Sequence, residues 1–283
     1  MIDAHNHLLD FSKILSPDFA QQTILQRARQ NGIHTLLCNA SCENDWIPIL
    51  QLAANSNDSP SQVQIPTVIP LLGIHPWYLD KAHPGWEERL YTLLTQHSKA
   101  LIGETGLDRT THRAINNSVQ ENAFLTHLRL GTELHRPVTI HSVRAWESVL
   151  SLLKEQSSLP PALLFHAYNG GREYLKPLLR LSTDIYFSFA GTALFERNHR
   201  AHEALSLIPI ERLLLETDSP YLAGPSEYLT GLIPQSSDKP HSEPSDLRLL
   251  LKGFAQLLHT SAEELENRIE NNLSRFLSSL TAL

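Results

Sequence analysis

Residues 2–7 read Ile2-Asp3-Ala4-His5-Asn6-His7. This is a short apolar opening with Asp3, His5 and His7 at i, i+2 and i+4. A strand has a period of two, so these three side chains share one face. Two imidazoles at the end of such a strand can reach one metal ion. Further along, short apolar runs repeatedly end in a residue of metal-ligand type. They lie at 33–38, 67–74, 100–103, 137–140, 162–165, 184–189 and 213–215. His75 stands just past the third strand, Glu104 ends the fourth, His141 the fifth and His166 the sixth. Asp218 follows the eighth by two residues.

Helical patterns are predicted over 17–30, 43–55, 85–97, 115–134, 144–154, 172–181, 245–258 and 262–280. Ser261 and Glu264 fit a capping box before the last. Residues 56–66 read as a polar connection and 105–113 as a loop. The strands are apolar on both faces, which belongs to a parallel sheet covered by helices. Eight such units predict an α/β fold, a TIM-type (β/α)8 barrel that takes residues 1–283 as a single domain. An open doubly wound sheet is the structural rival. No Gly-rich phosphate loop follows the first strand, which argues against a dinucleotide fold.

In a barrel the C-terminal strand ends converge on one mouth. His5, His7, Glu104, His141, His166 and Asp218 are then expected together. Four imidazoles and two carboxylates can hold two divalent ions. Zn²⁺, Mn²⁺ or Fe suits mixed nitrogen and oxygen ligands, whereas Mg²⁺ prefers more oxygen. The remaining histidines, His34, His97, His112, His127, His135, His199, His202, His241 and His259, read as surface or helix residues.

Composition narrows the class. With 283 residues, 41% of them apolar, the chain can bury a large core, unlike a disordered tail or a disulfide-stapled mini-domain. A net charge of −7 disfavours a broad cationic surface for nucleic acid, though not a local basic patch. The two cysteines, Cys38 and Cys42, exclude a disulfide framework and a four-cysteine zinc site. They suit a cytoplasmic protein. No apolar run of roughly 18 residues occurs, so neither a transmembrane helix nor a membrane partner is expected. Without a coiled-coil pattern, a monomer is expected.

Seven ordered segments resemble the TatD-like metal-dependent hydrolases of the amidohydrolase superfamily. They are DAHNHL from Asp3, GIHPW from Gly73, GETGLD from Gly103, PVTIHSVRA from Pro137, FHAYNGG around His166, LLLETDSPYL from Leu213, and Asn272-x-x-Arg275-Phe276. The resemblance runs from residue 3 to residue 276. It implies a TIM-like barrel with a two-metal site, and some family members are magnesium- or manganese-dependent deoxyribonucleases, including 3′-to-5′ exonucleases. Carried over by motif, His5, His7 and Asp218 bind one ion, and His141 and His166 the other. Glu104 resembles the bridging carboxylate. By the same resemblance Glu216 supports ligand orientation. The chain departs from the family pattern at Val143, Tyr168, Asn169 and Ser242, which are expected where substrate is held.

The expected chemistry is attack by a metal-activated water on a phosphodiester of DNA, single-stranded or end-exposed, or of another phosphoester. Asp218 takes the water proton. His75 contacts a substrate oxygen, and Arg144 reaches a phosphate with its bidentate fork. Trp77, Tyr78, Tyr168 and Tyr221 follow strand ends and can stack on a base or sugar. The alternative is an amidohydrolase or esterase acting on a small amide, ester or lactone. A deep pocket without Arg144 at its wall favours that alternative. A third reading is a non-enzymatic metal-binding scaffold.

Overall fold

The computed structural model describes residues 1–14, 17–57, 65–110, 115–233 and 240–278. Residues 58–64 of the polar connection, His112 in the loop after Asp108, and residues 279–280 of the last expected helix lie outside the described residues.

Eight parallel strands form one sheet in chain order. They are β1 (Ile2–Asn6), β2 (Thr35–Asn39), β3 (Thr67–Leu72), β4 (Leu101–Asp108), β5 (Val138–Val143), β6 (Ala162–Phe165), β7 (Asp184–Phe189) and β8 (Leu213–Leu215). The helices are α1 (Pro17–Gln30), α2 (Trp46–Asn57), α3 (Trp86–Gln96), α4 (Asn117–Glu133), α5 (Trp146–Glu155), α6 (Arg172–Leu178), α7 (His199–Leu207), α8 (Leu247–Leu257) and α9 (Ala262–Leu277). The extension of β8 closes the sheet onto β1. Asp218 N–H donates to His5 O at 2.9 Å and His7 N–H donates to Ser219 O at 2.8 Å. The barrel expected from the strand count is therefore present, and the open sheet is not.

Strand burial explains the lack of alternation in the sequence. All eight residues of β4 are buried, as are all four of β6. Helices cover the outer face, and Phe124, Phe254 and Phe276 are fully buried between helix and sheet layers. Each such ring contributes roughly 1.5–3 kcal/mol relative to exposure. The closing motif is structural. Asn272 Nδ2 donates to Ile210 O at 2.7 Å and Leu213 O at 2.8 Å, which ties α9 to the start of β8. Ser261 Oγ caps α9 by accepting from Glu264 N–H at 3.1 Å. The return half of the expected box is absent, because the Glu264 carboxylate turns to Thr260 and Arg268.

Three expectations need correction, and one helix was not among those expected. β4 does not end at Glu104 but continues through Asp108, so the loop expected from residue 105 begins four residues later. β5 runs two residues past His141 to Val143. Arg144 lies outside α5, with φ at +54°, and the helix starts at Trp146. The polar segment 199–207 forms α7, capped by Asn198, whose side chain accepts from Ala201 N–H at 3.3 Å.

His127 is on α4 as expected but is fully buried rather than at the surface. Its Nδ1–H donates to Ala123 O at 2.7 Å, and its Nε2 accepts from Ile74 N–H at 3.2 Å. Burial pushes its pKa down to about 4 from the ordinary 6.5, against a smaller opposing effect of the Ala123 bond. The folded chain keeps this ring neutral while the unfolded chain protonates it. Stability from this site is complete above about pH 6.5 and is lost as pH falls toward 4, by about 3 kcal/mol in total. His127→Gln keeps an acceptor for Ile74 without a titrating ring. Between pH 7 and pH 5 its urea midpoint is expected to fall less than that of the wild type. Equal falls would show that His127 does not titrate in this way.

Candidate metal centre

The six expected residues meet at the C-terminal mouth, with His75 beside them. Glu104 stands between two groups. Its Oε2 lies 3.3 Å from His7 Nε2 and 3.8 Å from His5 Nε2. Its Oε1 lies 2.9 Å from His141 Nδ1, 2.6 Å from His166 Nε2 and 3.7 Å from His75 Nε2. Asp218 Oδ1 is 3.4 Å from both His5 Nε2 and His7 Nε2. Three sets of possible ligand atoms gather within 4.8 Å: His5, His7 and Asp218; His5, Glu104 and His166; and His75, Glu104 and His141.

The donor set fits metal ions. His5 Nε2 and His7 Nε2 face each other at 3.1 Å, and His141 Nδ1 faces His166 Nε2 at 3.2 Å. Glu104 Oε2 and Asp218 Oδ1 are buried without a well-formed hydrogen bond. A buried carboxylate oxygen in that state is costly unless a cation meets it. Buried nitrogen and oxygen lone pairs converging on common points are what a divalent ion requires.

The electrostatics agree. Burial opposes the charge on Glu104, but His166, His75 and His141 outweigh it and hold its carboxyl well below the usual carboxylate range. Burial likewise opposes protonation of His7, yet the Asp218 and Glu104 carboxylates raise it well above 6.5. His166 is raised to about 10, with Glu104 and Glu216 overcoming burial. His5 goes the other way, pushed well down by burial and by His166. The Glu104, Asp218 and Glu216 carboxylates thus draw positive charge onto the neighbouring imidazoles, at the points a divalent cation would take.

The second layer fixes the imidazoles. Asp108 Oδ2 sits 3.0 Å from His141 Nε2, while Asp108 Oδ1 accepts from Thr110 N–H at 2.7 Å. This sets His141 Nδ1 beside Glu104 Oε1, where a cation would lie between the two acceptors. Ser41 Oγ lies 3.3 Å from His7 Nδ1. Glu216 accepts from Ala167 N–H at 2.6 Å and from the Ser188 hydroxyl, and its Oε1 faces His166 Nδ1 at 3.7 Å. His75 Nδ1 accepts from Trp77 N–H at 3.0 Å. Burial drives the His75 pKa down to about 3, so the ring is neutral and its proton sits on Nε2. That nitrogen is then a hydrogen-bond donor.

Above this floor opens a cavity of about 910 Å³. Trp77, Tyr78 and Tyr221 line it, whereas Tyr168 does not. Tyr168 is buried beside Phe187 and Trp146, and its hydroxyl donates to Gly171 O at 3.0 Å. Ser242 is buried too, and neither residue lies on the cavity wall; Val143 and Asn169 do. Only two of the four departures from the family pattern therefore face the cavity. Arg144 is exposed and is not on the wall. Arg197, after β7, is on the wall, and so is His241, which the sequence placed among surface or helix residues. Asn198, a helix-capping residue just after Arg197, was the available signal for that segment.

The family model described as TatD related DNase matches residues 2–278. The chain belongs to that family. This TatD-like chain is a metal-dependent hydrolase of the amidohydrolase superfamily. It is 27% identical over 279 residues to YcfH of Escherichia coli K12, named an uncharacterized metal-dependent hydrolase, covering 97% of this chain and 94% of that one. It is 29% identical over 251 residues to the 3'-5' ssDNA/RNA exonuclease TatD of Klebsiella pneumoniae, covering 88% and 89%. Among solved structures, the TatD homologue YJJV of Escherichia coli K12 superposes with a TM-score of 0.79 at 24% identity, covering 98% and 97%. The fold is shared with that structure. Among the described residues of this TatD-family chain, no helix is long and apolar enough to cross a membrane.

Gly106 holds Glu104 and His141 in register. It pairs with His141 across β4 and β5 and has φ at +143°. A Cβ there would stand 2.0 Å from His141 O. Gly106→Ala is expected to cost about 3 kcal/mol or more and to disturb the metal centre. Thermal unfolding and metal content check this. An unchanged melting temperature would contradict the close packing described.

Proposed function

We propose that this chain hydrolyses phosphodiester bonds at the ends of single-stranded nucleic acid, and that Glu104 and the residues around it would hold two divalent ions. The observation that carries this reading is the division of Glu104. One oxygen faces His5 and His7, and the other faces His141 and His166. His5, His7 and Asp218 would hold one ion, and His141 and His166 the other. Four imidazoles favour Zn²⁺ or Mn²⁺ over Mg²⁺. The exonuclease name of the Klebsiella pneumoniae relative supports nucleic acid as the substrate.

Bound ions lower the pKa of a water and polarise a phosphoryl oxygen. The protein groups do the rest. Asp218 accepts the water proton as the new oxygen–phosphorus bond forms. The bond to the leaving oxygen breaks on the opposite side, that oxygen takes a proton from solvent to leave as the alcohol, and Asp218 returns its proton to solvent. His75 donates its Nε2 proton as a hydrogen bond to a phosphoryl oxygen. Asp108 keeps His141 in the tautomer that leaves Nδ1 unprotonated. Trp77, Tyr78 and Tyr221 offer faces to a base or sugar. The exclusion of Arg144 from the wall favours a small amide, ester or lactone. Arg197 restores a cation to the wall, so the phosphodiester reading is the better match.

Asp218→Asn is expected to lower turnover at least about 100-fold while the barrel stays folded. Normal turnover by this variant would sink the proton-acceptor role. After chelation and reloading with Mn²⁺, the wild type is expected to hold two ions per chain. Glu104→Ala is expected to lose both and His141→Ala one, by elemental analysis; unchanged metal content would contradict the assignment. The decisive assay is single-stranded DNA hydrolysis with Mg²⁺, Mn²⁺ or Zn²⁺ restored. Shortening from one end supports the reading. No cleavage by folded, metal-loaded protein that turns over a lactone or small ester overturns it.

A further inference from the structure

Beyond β7 the chain forms a braced arm over the cavity. Gly191–Leu194 is a short 3₁₀ turn, and residues 195–198 close a β-turn in which Asn198 N–H donates to Phe195 O at 2.8 Å. Asn198 Nδ2 also donates to Thr192 O at 3.1 Å, and its Oδ1 accepts from Ala201 N–H at 3.3 Å. One side chain therefore ties the turn to the 3₁₀ segment and to α7. At the root, Gly191 packs backbone to backbone on Gly224, where a Cβ would stand 2.5 Å from Gly224 N. The arm is fixed at both ends.

Arg197 is the third residue of that turn. Its guanidinium carbon lies 4.3 Å from the Phe195 ring centroid, and both residues line the cavity. Stacking on a ring holds the guanidinium plane while leaving its N–H edge open to oxygen. Asp10, Glu104, Asp108 and Asp218 line the same cavity, yet Arg197 is the one Lys or Arg among its described lining residues. No carboxylate among the described residues pairs with it. A preorganised, uncompensated cation on an otherwise acidic wall is built for an anion.

That anion is not the scissile phosphate, which the reading above assigns to the buried floor. Arg197 is exposed at the rim. We propose that Arg197, seated on Phe195, binds the phosphate adjacent to the scissile one in a single-stranded oligonucleotide. It thereby sets a preference for substrates with two phosphodiesters over those with one. This inference rests on the phosphodiesterase reading for its choice of ligand. Because no second Lys or Arg is on the described wall, phosphates beyond the second add little affinity.

The test is calorimetric binding of phosphorothioate-linked thymidine dimer, trimer and pentamer to Mn²⁺-loaded enzyme. The trimer is expected to bind about tenfold tighter than the dimer, as one charge-assisted contact gives. The pentamer is expected within about twofold of the trimer. Arg197→Ala should remove the trimer advantage, leave dimer affinity within about twofold, and leave the melting temperature unchanged. It should also flatten the salt dependence of trimer binding by about one contact. Arg197→Lys should keep part of the advantage, and Phe195→Ala should weaken it with the charge intact. A wild-type trimer no tighter than the dimer overturns the proposal, as does an Arg197→Ala effect that is equal on both or absent. If the trimer advantage depends on Arg197 but no phosphodiester is cleaved, the subsite stands and the hydrolytic reading falls. If DNA is cleaved and Arg197→Ala is silent, the reverse holds.

Discussion

The Glu104 carboxylate is 1% exposed and has imidazole nitrogens of five histidines within 3.8 Å. A lone carboxylate could not be buried there without a large desolvation cost. The surrounding imidazoles meet part of that demand, but they supply lone pairs as well as protons. Two pairs of ring nitrogens approach within 3.2 Å, an arrangement that suits a shared cation better than a set of hydrogen bonds. The barrel makes this possible because β1, β4, β5, β6 and the extension of β8 all end at one mouth.

Holding six ligand-type groups at that spacing requires the backbone to do unusual things in a small area. Arg144, Ala167 and Asp218 follow β5, β6 and β8 and carry φ values of +54°, +42° and +50°. Such conformations persist where surrounding contacts over-determine them. At Asp218 those contacts are visible. Asp3 accepts from Thr217 N–H at 2.9 Å and from Thr217 Oγ1 at 2.7 Å, binding the β8 extension to β1. Thr217 is thus fixed, and Asp218 N–H reaches His5 O. The first strand therefore contributes twice, by its two histidines and by the aspartate that positions the opposite carboxylate.

The ligand-type residues were legible because they combine scarce residue types with strand ends. β6, β7 and β8 have the bounds their apolar runs predicted, since no glycine or proline interrupts them. β4 was cut short because Gly103 and Gly106 resemble loop punctuation. In the barrel they are close-approach positions inside a strand, a tertiary requirement no local pattern expresses. Arg144 looked suitable because it stands three residues past His141. Its left-handed φ takes it out of the helix, and the wall cation comes instead from Arg197, 56 positions past His141 along the chain. Tyr168 likewise has the right neighbour in sequence but points into the aromatic packing of Phe187 and Trp146. His127 shows the same limit: its helical pattern was readable, its stacking under Trp86 was not.

Charge determines how such a site can select its substrate. The chain carries −7 overall, and among the described residues the charged side chains on its cavity wall are carboxylates, apart from Arg197 and the histidines. A long polyanion therefore gains little from the protein surface, and at physiological salt what it gains from distant charges is screened. On the proposed reading, affinity comes from the neutralised floor and one rim cation, both within a single cavity. On that reading, a chain end or a short strand would set its bases against Trp77, Tyr78 and Tyr221 with its phosphates at those two points. Duplex DNA would have to give up base stacking to do the same. On that same reading, a preference for single-stranded ends would follow from where the positive groups among the described residues stand, with no sequence-specific contact.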